Sequence, residues 1–369
     1  MQTASNGFRQ SMCSLRLRTY GNKGNTMQTV TLIPTESIRA LARQLDGLVG
    51  EEFGDGRHIA VKVHMGEYGN LHYLRPPIVG RVVEVLTDKG ASPFLFDTPV
   101  LYGGPRGTAA GYLDVARKNG FTLESIGCPI VIADQYVTIQ SSLGIGSIEV
   151  PRELLEADGL VVLTHFKGHA DAAFGGCIKN LGMGCVSIET KGRMHKALPK
   201  PVVDDDTCTQ CLTCVETCPA KALTLADEAI TLDAARCWGC GACEEVCPEG
   251  AIAASVANLR QLLAEAASIV LGEFTDKPTL FVNVLLDMTE LCDCDPRPGR
   301  RIADDIGYLI AASAVAIDKA SVDLVNEQLG RDFFAEHYAV NPMVQLEVGK
   351  RLGLGDLEYK LLKVEQKKG

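Results

Sequence analysis

Short apolar runs alternate along the chain with stretches in which apolar residues recur every three or four positions. The runs at residues 30–33 and 59–63 are rich in β-branched residues and predict strands. Between them, apolar positions at helical spacing from Ile38 to Leu48 predict a helix. Further strands are predicted at residues 94–96, 129–133, 159–163 and 280–286, and further helices at residues 76–90, 108–118 and 314–325. This alternation predicts an α/β fold with a mixed or mostly parallel sheet and helices on both faces.

The alternation is interrupted at residues 200–255, where two cysteine-rich runs flank an interval, residues 222–232, that alternates as a hairpin does. We therefore predict an α/β body formed by residues 27–199 and 256–369, with residues 200–255 inserted as a small α+β domain. Residues 1–26 carry four basic and no acidic side chains and lack an apolar core. They predict a disordered N-terminal extension, and a transit peptide is the alternative interpretation.

The composition is typical of an ordinary globular protein, with 46% hydrophobic and 22% charged residues among 369. The formal net charge of −10 disfavours nonspecific binding to nucleic acid, because a polyanion repels an acidic surface. No apolar run approaches the ~20 residues that span a bilayer. We therefore predict no nucleic-acid partner, no membrane span and a cytoplasmic location, where thiolates stay available for iron.

Eight of the 14 cysteines fall into two runs with one spacing. The runs read CTQCLTCVETCP and CWGCGACEEVCP. This spacing is typical of bacterial ferredoxins with two [4Fe-4S] clusters, in which the fourth Cys of each run serves the other cluster. The predicted ligands are Cys208, Cys211, Cys214 and Cys247 for the first cluster, and Cys237, Cys240, Cys243 and Cys218 for the second.

Zinc and structural disulfides are the alternative interpretations of these cysteines. Zinc sites usually use two C-x-x-C pairs rather than two quartets that end in Pro. Disulfides are disfavoured because the same spacing in a reducing compartment is expected for metal. The sequence therefore favours iron-sulfur clusters.

The segment THFKGHADAAFGGCIKNLGMGC, residues 164–185, follows a predicted buried strand and is glycine-rich. We interpret it as a loop that holds candidate catalytic side chains, namely His165, Lys167, His169, Lys179 and Asn180. The two lysines suit an anionic group, and the two histidines suit metal ligation or proton transfer. The alternative is a structural loop with hydrogen-bonded histidines.

A second unusual segment, LCDCDPRPG at residues 291–299, follows the strand predicted at 280–286. Cys292 and Cys294 flank an acid on an irregular, proline-rich stretch, which suits a third metal site or a strained dithiol. Two buried thiols beside turn-forming aspartates are the other interpretation.

Three segments together resemble the domain of unknown function 362 family: FGGCIKNLGMG at residues 174–184, CDC at 292–294 and IADDIGYLIAASAVAIDKAS at 302–321. The chain is similar to the branch of that family that carries an inserted two-cluster ferredoxin module. The positions that match the family's characteristic segments are Lys62, Gly175, Gly176, Lys179, Asn180, Cys292, Cys294 and Asp318. The resemblance implies clusters and electron transfer, and it implies no particular substrate.

The preferred function is therefore an electron-transfer protein that passes electrons from two [4Fe-4S] clusters to a partner reductase or to a site in its own body. The alternative is an iron-sulfur oxidoreductase that acts on a small anionic substrate at the two unusual segments, and a third interpretation is a metal or cluster delivery factor. A bare ferredoxin needs about 60 residues, so the large body argues for a specific partner or substrate. No dinucleotide, Walker or Ser-His-Asp signature is present in the sequence, so whether the chain is an enzyme stays open.

Overall fold

A computed structural model of the chain describes residues 27–34, 37–196, 201–218, 221–233, 236–237, 242–253, 259–338 and 340–364. The strands are β1 Gln28–Ile33, β2 His58–Lys62, β3 Ser92–Asp97, β4 Ile130–Ile132, β5 Tyr136–Gln140, β6 Ser147–Pro151, β7 Gly159–His165, β8 Lys167–His169, β9 Ala173–Gly175, β10 Val202–Val203, β11 Leu223–Ala226, β12 Ala229–Leu232, β13 Ile252–Ala253, β14 Thr279–Leu285, β15 Gly307–Ala311 and β16 Tyr359–Lys363. The helices are α1 Ile38–Leu48, α2 Pro76–Asp88, α3 Ala109–Lys118, α4 Leu123–Ile126, α5 Arg152–Leu155, α6 Cys177–Gly182, α7 Ile188–Lys196, α8 Thr213–Thr217, α9 Ala242–Glu245, α10 Leu259–Gly272, α11 Ala314–Leu329, α12 Phe333–His337 and α13 Met343–Arg351.

Eight strands form the central sheet, in the order β16-β1-β15-β14-β7-β2-β3-β4. Seven of them run in one direction, and β15 is antiparallel to both of its neighbours, β1 and β14. Because the parallel strands point the same way, the carboxyl ends of β2, β3, β7 and β14 meet at one edge of the sheet. This is the edge at which ligands bind in open α/β sheets.

Alternate residues of each strand enter two separate hydrophobic cores. In β7, Val161 and Leu163 belong to the core that contains apolar side chains of α1, α2 and α3. Leu160 and Val162 belong to the other core, with side chains of α6, α10, α11 and α13. The period of two along a strand places these side chains on opposite faces. The predicted α/β fold, with a mostly parallel sheet and helices on both faces, is confirmed.

The glycine-rich segment at residues 164–185 was predicted as a loop, and this interpretation is wrong for most of its length. It contains the end of β7, the β8–β9 hairpin and helix α6. Its glycines allow neighbouring atoms to pack close to the backbone, and they are not required for a left-handed backbone conformation. A Cβ on Gly176 would lie 2.3 Å from an Asp318 carboxylate oxygen, and one on Gly182 would lie 2.1 Å from the Leu263 carbonyl oxygen.

Residues 201–253 form two small antiparallel pairs, β10–β13 and β11–β12, together with helices α8 and α9. The hairpin predicted at residues 222–232 is confirmed by β11 and β12. Residues 1–26, 197–200 and 254–258 lie outside the described residues, and with them lie the predicted extension and both predicted boundaries of the insertion. The division into an inserted domain and a body stays a prediction. Within the described residues, no helix combines the length and the apolar composition that crossing a bilayer requires.

Candidate functional site

A cavity of about 510 Å³ lies at the carboxyl ends of β2, β3 and β7. The seven side chains singled out in the two unusual segments of the sequence all line it, namely His165, Lys167, His169, Lys179, Asn180, Cys292 and Cys294. The segments lie more than 100 positions apart in the chain, and the parallel pairing of β7 with β14 brings their strands side by side. The structure therefore unites the two predicted segments in one site.

The first wall of the cavity is a buried ion pair at the ends of β2 and β3. The Lys62 ammonium lies 3.0 Å from an Asp97 carboxylate oxygen and donates a hydrogen bond to the Asn180 side-chain oxygen at 2.7 Å. The Asn180 amide donates in turn to the Thr164 hydroxyl at 2.9 Å. Tyr112 donates to the other Asp97 oxygen at 2.5 Å. Asn180 is thereby fixed between two strand ends, with its amide orientation set by the ammonium group.

The opposite wall is organised around Asp293, the acid between the two cysteines. Asp293 is fully buried and accepts hydrogen bonds from His165 Nδ1 at 2.9 Å and from Lys167 Nζ at 2.8 Å. These two neighbours hold the pKa of the Asp293 carboxyl well below its usual value despite its burial. His165 Nε2 also lies 2.8 Å from the Leu286 carbonyl oxygen. Both ring nitrogens of His165 are thus engaged, so it would have to give up one contact to bind a metal or move a proton.

His169 ends strand β8 at the turn of the β8–β9 hairpin, and its ring binds backbone groups of that turn. Its Nδ1 accepts from the backbone N–H groups of Asp171 and Ala172 at 3.1 and 3.2 Å. Burial lowers the pKa of His169 well below its usual value. The ring is therefore neutral near pH 7, and it shapes the hairpin turn beside the cavity.

Cys292 and Cys294 face the cavity from the irregular segment after β14. The Lys179 ammonium lies 3.8 Å from the Cys292 sulfur, and the Cys294 backbone N–H donates to the same sulfur at 3.4 Å. The Cys294 thiol also donates to Cys292, and together these contacts hold the pKa of Cys292 well below its usual value. The same coupling raises the pKa of Cys294. The contacts therefore favour a thiolate at Cys292 over one at Cys294.

Beneath the cavity, Asp318 of α11 binds the start of α6. Its carboxylate accepts from the backbone N–H of Cys177 at 2.7 Å and of Ile178 at 2.9 Å, and from the Asn283 amide at 2.9 Å. Its burial raises its pKa to about 6. Gly176 leaves room for this carboxylate, which explains the Gly-Gly that precedes α6. Asp318 is thus a structural acceptor that orients the helix carrying Lys179 and Asn180.

Sequence reasoning missed two basic side chains of the cavity, Lys191 and His195, both on α7. Their separation of four positions puts them on one helix face, and that spacing is the signal that would have grouped them. Lys191 donates to the Thr98 hydroxyl at 2.6 Å and to the Pro99 carbonyl. Burial lowers the pKa of Lys191 to about 7.

Lys191→Met is expected to change stability in a pH-dependent way. The folded-state pKa of about 7 lies below the usual 10.5, so between these values the unfolded chain keeps a proton that the folded chain has released. The stability of the wild type relative to Lys191→Met therefore rises with pH, by roughly 2–3 kcal/mol between about pH 6 and about pH 9. Urea unfolding of both proteins at the two pH values measures this difference. A difference that does not change with pH would contradict titration of Lys191 in the folded chain.

The cysteine-rich segment has its own small cavity. Cys208, Cys211 and Cys214 line it together with Cys247 of the second run, so the first predicted ligand set surrounds one space. Gln210 and Leu212 have φ values of 53° and 64°, in the left-handed region that non-glycine residues seldom adopt. Such alternation turns successive backbone N–H groups to one side and forms an anion-binding concavity that many iron-sulfur sites use.

The second predicted ligand set is described only in part. Of its four members, Cys218 and Cys243 lie in or against the small hydrophobic cluster of this segment, together with Cys208, Cys214 and Cys247 of the first set. Cys237 is among the described residues, whereas Cys240 lies outside them. Among the described residues, no three His, Cys, Asp or Glu side chains are close enough to share a single metal ion. A cubane binds its four thiolates on four separate iron atoms, so its ligands stand farther apart than those of one ion. The donor chemistry of the first set, four thiols around one space, suits a cluster.

Comparison with known proteins gives a family and a relative. The model of the family described as "Domain of unknown function (DUF362)" matches residues 59–323. A thylakoid-associated protein of Synechocystis sp. is 28% identical over 166 residues, which cover 43% of this chain and 48% of that protein. The chain thus matches about half the length of this relative. The predicted cytoplasmic location stays a prediction.

Two solved structures are similar to this chain over about four-fifths of its length. A Thermotoga maritima protein has a TM-score of 0.43 at 12% identity, with 81% of this chain and 60% of that chain covered. The lactate racemase apoprotein from Thermoanaerobacterium thermosaccharolyticum has a TM-score of 0.43 at 13% identity, with 82% and 57% covered. The fold assignment rests on the sheet of this chain and not on these similarities.

Proposed function

The chain belongs to the DUF362 family, and we propose that it is an electron-transfer protein that carries two [4Fe-4S] clusters in its cysteine-rich segment. The observation that carries this proposal is the gathering of Cys208, Cys211 and Cys214 with Cys247 around one small cavity. Cys247 belongs to the second run of the sequence, and its position beside the first run is the interleaving that two-cluster ferredoxins require.

The residues around this cavity support a cluster rather than a zinc ion. Four thiol side chains supply soft ligands, and Gln210 and Leu212 beside them have the left-handed backbone that occurs in anion-binding concavities. N–H groups that point at cluster sulfurs stabilise the more negative state and so set the potential. When bound, each cluster would supply one-electron transfer. The acceptor is a redox partner protein or the cavity of the α/β body.

Cys247→Ser tests the interleaved assignment. The variant is expected to lose the first cluster and to retain the second, so anaerobically purified protein should contain roughly half of the wild-type iron. Electron paramagnetic resonance of the reduced protein should show one signal lost. The control is Cys128→Ser, because Cys128 is a buried cysteine of the body core and should leave iron content unchanged. Full iron in Cys247→Ser, or zinc in the wild type, would refute the assignment.

A second candidate function is an oxidoreductase that acts on a small anionic substrate in the body cavity. It is favoured by the three ammonium groups of Lys62, Lys167 and Lys179 around a space large enough for a small molecule. Delivery of a metal or a cluster through Cys292 and Cys294 stays a prediction. Among the described residues, no third His, Cys, Asp or Glu completes a single-metal site with them.

A further inference from the structure

We propose that Cys292 and Cys294 form a redox-active dithiol in the body cavity and that its substrate is a small disulfide carrying negative charge. The inference deepens the second candidate function, on which it rests, by naming the class of substrate. It requires no iron-sulfur cluster, so its test is independent of the electron-transfer proposal.

The geometry places two thiols at one end of an accessible space. One residue separates Cys292 from Cys294, and both line the cavity of about 510 Å³. Cys292 is buried against the body, whereas Cys294 is half-buried. The N–H of Cys294 reaches the Cys292 sulfur at 3.4 Å, so the chain between them is already folded into a tight turn. The turn is closed by the Asp295 N–H, which donates to the Cys292 carbonyl at 2.8 Å.

Asp293 fixes this turn to the body. Its carboxylate contacts His165 and Lys167, and it has no exposed surface. The intervening acid therefore works as an anchor that holds the thiols in place. A rigid support of this kind is what keeps reactive groups at productive distances.

Charge divides the roles of the two sulfurs. Lys179, which lies 3.8 Å from the Cys292 sulfur, stabilises the thiolate there, and Lys167 adds to this effect while Asp293 opposes it. The hydrogen bond to Cys292 raises the pKa of Cys294, so its proton is held more tightly than that of Cys292. The thiolate is the attacking species in disulfide exchange, so Cys292 attacks and Cys294 resolves.

The proposed reaction transfers one electron pair to the substrate. The Cys292 thiolate attacks one sulfur of a disulfide RSSR, which breaks the substrate's S–S bond, forms a Cys292–S–S–R bond and releases RS⁻. Cys294 then loses its proton and attacks the Cys292 sulfur, which forms the Cys292–Cys294 disulfide and releases the second RS⁻. The dithiol is oxidised, the substrate disulfide is reduced to two thiols, and the proton of Cys294 goes to a released thiolate.

The lysines account for the charge of the substrate. In the exchange transition state, negative charge spreads over three sulfurs, and the Lys179 ammonium lies where it stabilises that charge. Once Cys292 becomes part of a disulfide, Lys179 loses its anionic neighbour and is available for a carboxylate or a leaving thiolate. A carboxylated disulfide therefore fits this cavity better than a cationic one.

The test uses the full chain, purified anaerobically with its metal, and the carboxylated disulfide 5,5′-dithiobis(2-nitrobenzoate). The wild type is expected to release about two more equivalents of thiolate in the fast phase than Cys292→Ser does. Peptide mass spectrometry should then find residues 292 and 294 joined by a disulfide. Cys294→Ser should release about one fast equivalent and retain the mixed disulfide on Cys292. The charge test uses two aliphatic disulfides, with 3,3′-dithiodipropionate as the anionic reagent and cystamine as the cationic reagent. The anionic reagent should react at least about tenfold faster with the wild type, although its thiol is the poorer leaving group.

Lys179→Met tests whether Lys179 stabilises the Cys292 thiolate. It should slow the fast phase by up to about tenfold near pH 6.5 and less near pH 9, because a rise of one unit in the thiolate pKa removes at most that fraction of thiolate and removes less as pH rises. Lys179→Arg should restore most of the rate. A change in rate that is the same at both pH values would instead indicate a purely structural effect of Lys179 and would refute its assigned role.

Three results would overturn the dithiol proposal. The first is a fast phase in Cys292→Ser equal to that of the wild type, and the second is a stable mixed disulfide on wild-type Cys292. The third is equal rates for the anionic and cationic reagents, which would refute the proposed substrate class. Cluster signals in electron paramagnetic resonance should be unchanged in Cys292→Ser and Cys294→Ser. A loss of cluster signal only in Cys247→Ser, with the thiol chemistry intact, would support the cluster assignment and the dithiol proposal independently.

Discussion

Asp293→Asn is expected to lower the free energy of unfolding by about 3–5 kcal/mol, because it removes the carboxylate that pairs with the buried Lys167 ammonium and contacts the His165 ring. His165 and Lys167 are each about 5% exposed and lie within 3 Å of the Asp293 carboxylate. The asparagine side chain can still accept one hydrogen bond, but it leaves the Lys167 ammonium without its counter-charge. A loss of this size is a large part of the 5–15 kcal/mol that stabilises a typical domain.

The pH dependence gives this prediction a second readout. The pKa of Asp293 is depressed in the folded chain, so its contribution to stability is present above the usual carboxyl pKa of 3.8 and is lost as pH falls toward the folded value. Urea unfolding near pH 7 and near pH 3 should therefore show a smaller gap between wild type and variant at the acidic pH. The matched control is Asp304→Asn, an exposed acid eleven positions later, which should change stability by less than about 0.5 kcal/mol. Equal effects of the two variants would contradict the anchoring role of Asp293.

Asp318→Ala is expected to cost about 3–5 kcal/mol, because three buried donors lose their acceptor at once. The donors are the N–H groups of Cys177 and Ile178 and the amide of Asn283. The variant no longer has to bury a carboxylate, which by itself is unfavourable. The net loss in the free energy of unfolding is therefore smaller than the sum of three lost hydrogen bonds. Because α6 carries Lys179 and Asn180, the variant should also disturb the cavity.

Thermal or urea unfolding measures the Asp318 effect, and Glu327→Ala is its control. Glu327 is exposed on the same helix, α11, so its replacement by the same residue should cost less than about 0.5 kcal/mol. Hydrogen exchange of the Cys177 and Ile178 amides should accelerate in Asp318→Ala and stay slow in Glu327→Ala. Unchanged exchange in Asp318→Ala would show that α6 does not depend on this carboxylate.

Much of the fold could be predicted because its signals are local. The parallel strands β2, β3, β7 and β14 are continuous apolar runs, and such runs identify buried strands without knowledge of their partners. The direction of β15 has no local signal, since it depends on which neighbours flank the strand in the finished sheet. The β8–β9 hairpin was missed for a related reason. Its three-residue strands are too short to show a period, and their glycines resemble those of a loop.

The sequence predicted which side chains line the site better than it predicted what each of them does there. The unusual density of His, Lys and Cys in two segments identified seven of the side chains that line the cavity. The partner of His165 was not predictable, because Asp293 lies 128 positions away and meets it only through the pairing of β7 with β14. Asp318 likewise lies 141 positions from the N–H of Cys177 that it binds. Spacing along a chain carries no information about such pairs.

The position of β1 in the sheet has a consequence for synthesis of the protein. Its two strand neighbours are β15 and β16, which are encoded near the other end of the described chain. At translation rates of about 5–20 residues per second, β1 leaves the ribosome on the order of tens of seconds before either neighbour exists. During that interval β1, with its apolar residues Val30, Leu32 and Ile33, lacks the two strands with which it pairs in the folded protein. The nascent chain therefore carries an unpaired apolar segment until β15 and β16 have been synthesised.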